Sequence, residues 1–140
     1  MFTAVFLGTT LVATAPALKS PGIVGEWAVE RQETGGGVLP FGEADRLRFV
    51  FTADGKWTMY RVGSPETPNR KYLVDLKPEP QTIDLGPDPD SKIGSTYEGV
   101  FKIDGDTLTL CYSHRQDMRP KGFTVSDDDP VSVFVMKRVK

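Results

Sequence analysis

From about Gly22 to the C-terminus, short runs of alternating apolar and polar side chains are broken by Asp-Gly, Pro and Gly-rich stretches, and this pattern leaves few folds open. Alternation at every second residue puts one set of side chains on each face of a pleated strand, whereas a helix needs apolar residues three and four apart. Nothing after Gly22 sustains the helical period. "IVGEWAVERQ" places Ile23, Gly25, Trp27 and Val29 on one face. "LRFVFTADGKWTMYRV" reads as a hairpin about Asp54-Gly55. A three-residue Ala53-Asp54-Gly55 loop, with Gly55 left-handed in a bulge, sets Phe51 opposite Trp57 and Phe49 opposite Met59. A two-residue loop would set Phe51 against Thr58, so burial favours the longer turn.

The same test applied to "GVFKIDGDTLTLCY" favours the shorter one. A two-residue Asp104-Gly105 loop pairs Phe101 with Leu108 and Gly99 with Leu110, while a three-residue loop would pair Phe101 with Thr109. "KYLVDL" and "QTIDL" add further strands, separated by Pro78 and Pro80, which cannot donate to a ladder. The closing "VSVFVMKRV" is apolar on both faces until Lys137. These make about eight strands in sequence order with no crossover helix, and closing such a meander removes its exposed edges. The fold expected is all-β, an up-and-down antiparallel barrel, with a two-sheet β-sandwich as the alternative. "ETGGGVLPFGE", "GSPETPNR", "GPDPDSKIGS" and "SHRQDMRPKGFTVSDDDP" are expected to be loops.

The chain has 140 residues, enough for one core. Seventeen basic and nineteen acidic residues give a net charge of −2, so no global field recruits nucleic acid or an anionic membrane. "MFTAVFLGTTLVATAPALKS" carries no charged side chain before Lys19 and is mostly apolar from Phe2 to Ala17. It is short for a membrane span and rich in Thr and Gly. It fits a signal peptide with a small-x-small exit at Ala15-Pro16-Ala17, although its first residues lack Lys and Arg. Residues 1–17 are therefore expected to be a signal peptide and 18–140 a single barrel domain, exported to the periplasm or beyond and without a membrane span once mature. Cys111 is the only cysteine, which excludes an intramolecular disulfide.

Chemistry is sparse. His114 is the only imidazole, in the polar "CYSHRQDMRP", and no G-x-S-x-G elbow supplies a nucleophilic serine. On a strand, Cys111 and His114 do not reliably meet, so a Cys-His nucleophile is unsupported. One Cys and one His make a zinc site improbable. The acidic groups Asp88-Pro89-Asp90, Asp104-Gly105-Asp106 and Asp127-Asp128-Asp129 lack the ligand spacing of an EF-hand and read as turn residues. The glycine-rich stretch lacks the Lys-Ser/Thr of a phosphate loop. No catalytic constellation, metal or cofactor is expected.

Gly25-Glu26-Trp27 near the start of the first strand, with Lys137-Arg138 ending the last, is similar to the lipocalin pattern. "PQTIDL", "YEGVFKIDGDTLTLCY", "RPKGF" and "VFVMKRVK" further resemble the small lipocalin-like domain abundant in planctomycete bacteria, over about Gly22 to Lys140. That resemblance implies a calycin-type barrel, often exported, and carries no established activity or ligand. In the last strand Phe134, Met136 and Arg138 share one face and Val133, Val135 and Lys137 the other, so alternation alone leaves the facing open. A guanidinium stacks on an indole better than an ammonium does, which places Arg138 over Trp27 as the closure of the barrel, with Gly25 beside them. Lipocalins, with a basic residue over the Gly-x-Trp tryptophan, point the same way.

Trp27, Phe49, Phe51, Trp57, Tyr97, Phe101 and Phe134 are assigned to the barrel interior, which in a barrel of this size is either filled by side chains or holds one small ligand. Two functions from different classes follow. One is non-catalytic binding of a small apolar or amphipathic molecule by Phe49, Phe51, Trp57 and Phe101, under a rim formed by residues 34–44 and 113–129. The other is a filled barrel serving as a structural or protein-interaction domain at the cell envelope.

Overall fold

The computed structural model describes residues 22–87 and 95–140. The expected signal peptide and the Asp88-Pro89-Asp90 turn lie outside the described residues. Among the described residues there are nine strands: β1 (Gly25–Thr34), β2 (Gly37–Val38), β3 (Leu47–Phe51), β4 (Lys56–Arg61), β5 (Arg70–Asp75), β6 (Gln81–Leu85), β7 (Tyr97–Asp104), β8 (Thr107–Ser113) and β9 (Val131–Arg138). All pairings are antiparallel. β1 pairs with both β3 and β9, which closes β1 and β3 through β9 into an eight-stranded up-and-down barrel, with β2 attached outside the ring to the end of β1. The fold is thus the barrel and not the sandwich. No helix of the described residues is long and apolar enough to cross a membrane.

The first hairpin has the expected register, Phe51 against Trp57 and Phe49 against Met59. Gly55 sits at φ +86°, and its N–H donates to the Thr52 carbonyl, as a type I turn followed by a left-handed residue requires. The second hairpin differs. Its turn has two residues but lies one position later, at Gly105-Asp106, so Phe101 pairs with Leu110, Gly99 with Tyr112 and Leu108 with Ile103. The cause is the turn itself: Gly105 takes φ +62° as the first central residue and Asp106 keeps negative φ, the signs of a type II′ turn. The displacement totals two residues, so each side chain keeps its face.

Two loop assignments also change. The glycine-rich segment contains β2 and a single helical turn, α1 (Phe41–Ala44), with Pro40 at its N-cap and Ala44 buried against the core. Arg70, read as the end of a loop, is the first residue of β5.

Up-and-down order gives the barrel two unlike ends. Turns 52–55, 76–80 and 105–106 cluster at the end where β1 begins, and connections 35–46, 62–69 and 114–130 lie at the other. The long connection after β8 folds back along the outer wall. There Phe123, Val125 and Val131 cover Val100, Cys111 and Val133. Arg119 ties it down by donating to the carbonyls of Ile83 (3.1 Å) and Gly99 (2.8 Å) and to the Asp84 carboxylate (2.7 Å). A Cβ on Gly99 would lie 2.5 Å from the Cys111 carbonyl oxygen, so only glycine fits there.

Candidate functional site

At the short-turn end, β1 and β9 are locked by one contact. The Arg138 guanidinium lies 4.2 Å from the Trp27 ring centroid. It donates to the carbonyls of Val24 (3.0 Å) and Gly22 (2.7 Å), and the indole N–H of Trp27 donates to Ile23 (2.8 Å). Lys137 points the other way, to the Thr107 hydroxyl. Gly25, at φ +138°, is the gap through which the guanidinium reaches: a Cβ there would stand 2.8 Å from Arg138 Nη1. All these contacts join parts of the chain, and their work is structural.

Above this lock the residues assigned to ligand binding form a packed floor. Phe49, Phe51, Trp57 and Phe101 are all buried. Phe49 stacks on Phe51 and Trp57 (6.2 Å each) and meets Phe134 edge-on at 5.0 Å. Phe51 meets Tyr72 edge-on at 5.1 Å, and the Trp57 indole N–H donates to the Gly86 carbonyl. Rings fill the space around Phe49, so this half of the interior is occupied by the protein's own side chains.

The chemistry lies one layer higher, toward the long loops, and comes from residues the sequence reading passed over. Arg70 shares the inward face of β5 with Tyr72, because the two are two residues apart. The strands are staggered, so this first residue of β5 pairs with Trp57, near the start of β4. Its guanidinium lies 5.2 Å from the Trp57 ring centroid. Its Nε is buried without a hydrogen-bond partner. Leaving such a donor unsatisfied costs about 1–3 kcal/mol.

Tyr112 stacks on Phe134 at 5.7 Å, within electrostatic reach of Arg70. Burial pushes its phenol up to about 12, helped by Tyr97 and opposed by Arg70. It is therefore a neutral hydroxyl at physiological pH. Tyr97 packs on Tyr112 (5.4 Å) but is 36% exposed, at the rim and not in the core as assigned. Two residues before Gly99, at the start of β7, the barrel wall opens into the long-loop mouth.

His114 completes this end. Its ring meets Tyr112 edge-on at 5.3 Å, and its Nε2 shares a 2.7 Å hydrogen bond with Ser132 Oγ. The dyad resembles a nucleophile and its base, but Ser132 is only 1% exposed, and no hydrogen bond to a described carboxylate orients the imidazole. The pair fixes the ring at the barrel end. Cys111 faces outward beneath the 114–130 connection, where burial pushes its thiol up to about 11, away from nucleophilic use.

Among the described residues no three His, Cys, Asp or Glu side chains gather as a metal site. No family model, curated protein or solved structure matches the chain. What the arrangement offers chemically is a guanidinium with an unused donor, set on an indole and flanked by phenols.

Proposed function

We propose that the chain is a non-catalytic binding module, a lipocalin-like barrel exported by its N-terminal apolar segment, that takes a small amphipathic molecule at its long-loop end. The observation that carries this reading is Arg70. A core that only had to be stable would hold an apolar residue at this position, because a buried donor without an acceptor is a net cost. Such a cost is tolerated at binding sites, and the half-buried guanidinium, without an ion pair among the described residues, keeps its charge for a ligand that reaches it from the mouth. The packed floor of Phe49, Phe51, Trp57 and Phe101 limits the depth of binding, so these rings serve as the base of the site and not its walls.

Native mass spectrometry of the protein purified from its own host tests the reading. A retained molecule of a few hundred daltons, released by denaturation, is the expected result. A bare mass in every preparation, together with no uptake of amphipathic probes, would reject it.

A second reading is a filled barrel acting as a protein-interaction domain. It draws on the packed lower half and on Val38 (60% exposed) and Phe41 (69% exposed), which border a groove with Val135. A stable complex formed by the ligand-free protein and lost in Phe41→Ser would favour it.

A further inference from the structure

We infer that the outer face of β5 is a self-association surface, on which two copies of the chain pair about a two-fold axis at Leu73. The inference uses no part of the barrel interior and stands apart from the ligand-binding reading above. Alternation turns Lys71, Leu73 and Asp75 outward, while Tyr72 and Val74 pack on the core. The outward middle of a strand is where a solvated wall carries a polar side chain. Here it holds Leu73, 72% exposed, the most open large apolar side chain among the described residues. A groove of about 310 Å³ with mainly apolar walls lies beside Leu73, bordered by Gly86, Pro87 and Thr96. β4 pairs with β5 only through Lys56 and Trp57, so from Leu73 to Asp75 no described strand flanks β5 on that side.

The charges name the occupant. Lys71 and Asp75 sit two residues to either side of Leu73, about 7 Å along the strand in each direction. A two-fold axis at Leu73 runs the partner's β5 antiparallel, so each Lys71 meets the partner's Asp75 and each Leu73 enters the groove beside the partner's Leu73. Opposite charges at equal distances from an apolar centre make a patch complementary to itself, which is the condition for an isologous contact. Within one chain these charges are unused. Neither Lys71 nor Asp75 has a salt bridge among the described residues, and Lys71 stands opposite Lys56 on β4, where like charges repel. The backbone N–H of Lys77 donates to Asp75 Oδ1 (3.1 Å), which steadies the carboxylate and leaves its second oxygen for a lysine. A carboxylate from the partner offsets the Lys56–Lys71 repulsion, whereas a surface of uniform charge would meet one end of this patch with its own sign.

Sedimentation equilibrium of the full chain across about 1 μM to 1 mM tests the pairing. The expected result is a reversible equilibrium between one and two copies. Lys71→Asp and Asp75→Lys each set like charges across the axis, and each should weaken the dimer about tenfold or more. An equimolar mixture of these two variants has unlike charges at both contacts and should recover the native affinity. Leu73→Asp should weaken the dimer as strongly. All three positions are exposed, and circular dichroism verifies that the variants keep the fold. A single monomer mass throughout the range overturns the inference. So does a mixture that associates no better than its components, or a dimer that survives Leu73→Asp and is lost in Phe41→Ser, which would move the contact to the groove beside Val135.

Discussion

Gly25→Ala is the sharpest probe of how the barrel is closed, because one methyl group tests the backbone and the lock at once. At φ +138° an L side chain is strained by about 1–3 kcal/mol. The new Cβ would also stand 2.8 Å from Arg138 Nη1, inside van der Waals contact, so the guanidinium must shift and loosen its hold on Trp27 and its two carbonyls, forfeiting about half of that contact. That position is worth about 2 kcal/mol, since the Arg138 side chain is 29% exposed and water replaces part of what it loses. The substitution is therefore expected to cost about 2–4 kcal/mol.

In an Arg138→Met background there is no guanidinium to displace, and the same alanine should cost only the backbone strain. The four proteins of this cycle, unfolded in urea and followed by circular dichroism, should show a coupling of about 1 kcal/mol. Additive effects, with coupling under about 0.5 kcal/mol, would refute the reasoning and mean that the first and last strands are held by their ladder alone.

The other expectations follow from single sites. Gly55→Val should cost about 1–3 kcal/mol because φ is +86° while the nearest atom to a new Cβ, the Tyr72 carbonyl oxygen, is an unstrained 3.8 Å away; a denaturation midpoint equal to that of Lys56→Val would rule out a left-handed turn glycine. Cys111 binds its proton up to about 11 when folded against 9.0 for a free thiol, so the unfolded chain loses the proton first and stability falls between pH 9 and 11. The loss is up to about 3 kcal/mol, and Cys111→Val should be spared it; identical alkaline profiles for the two proteins would count against the burial of the thiol. Arg119→Met should loosen the 114–130 connection and speed labelling of the Cys111 thiol about fivefold, and an unchanged labelling rate would show that Phe123, Val125 and Val131 hold the segment unaided.

The fold was legible because strand alternation and turn chemistry agree. Phe49 and Phe51 must share a face, and the Ala53-Asp54-Gly55 turn puts that face opposite Trp57 and Met59, so burial and loop length select one register. In the second hairpin the two criteria fail to discriminate. Phe101 is equally buried against Leu108 or Leu110, because both project inward, and a slip of two residues costs no burial. The decision passed to the backbone, where Gly105 can begin a type II′ turn and Asp104 cannot.

The lock at the short-turn end was open to the same kind of reasoning, since Arg138 and Trp27 differ from their neighbours in ways that pairwise chemistry can rank. The upper layer was not. Arg70 follows Pro68-Asn69 at the edge of a loop-like segment, where a charged residue is ordinarily solvated. Alternation turns it inward with Tyr72, and the stagger of the barrel sets it beside Trp57 and near Tyr112, which is 42 residues later in the chain. His114 and Ser132 likewise meet only because β8 and β9 flank the connection between them.

This division has a physical cause. The turns of the short-turn end join neighbours in sequence, whose contacts follow from period and turn type, so much of its interior could be filled with rings whose identity the pattern announces. The long-loop end is assembled from residues far apart in the chain, whose meeting depends on how far each strand is displaced along the next. Polar side chains at that end carry no signature in the alternation, because Arg70 and Ser132 occupy inward positions that a simple core would give to apolar residues. A barrel that only had to be stable would have filled both ends alike. Arg138 at the short-turn end and Arg70 at the other both break the apolar pattern on the inward face, and of the two only Arg138 has hydrogen-bond partners among the described residues.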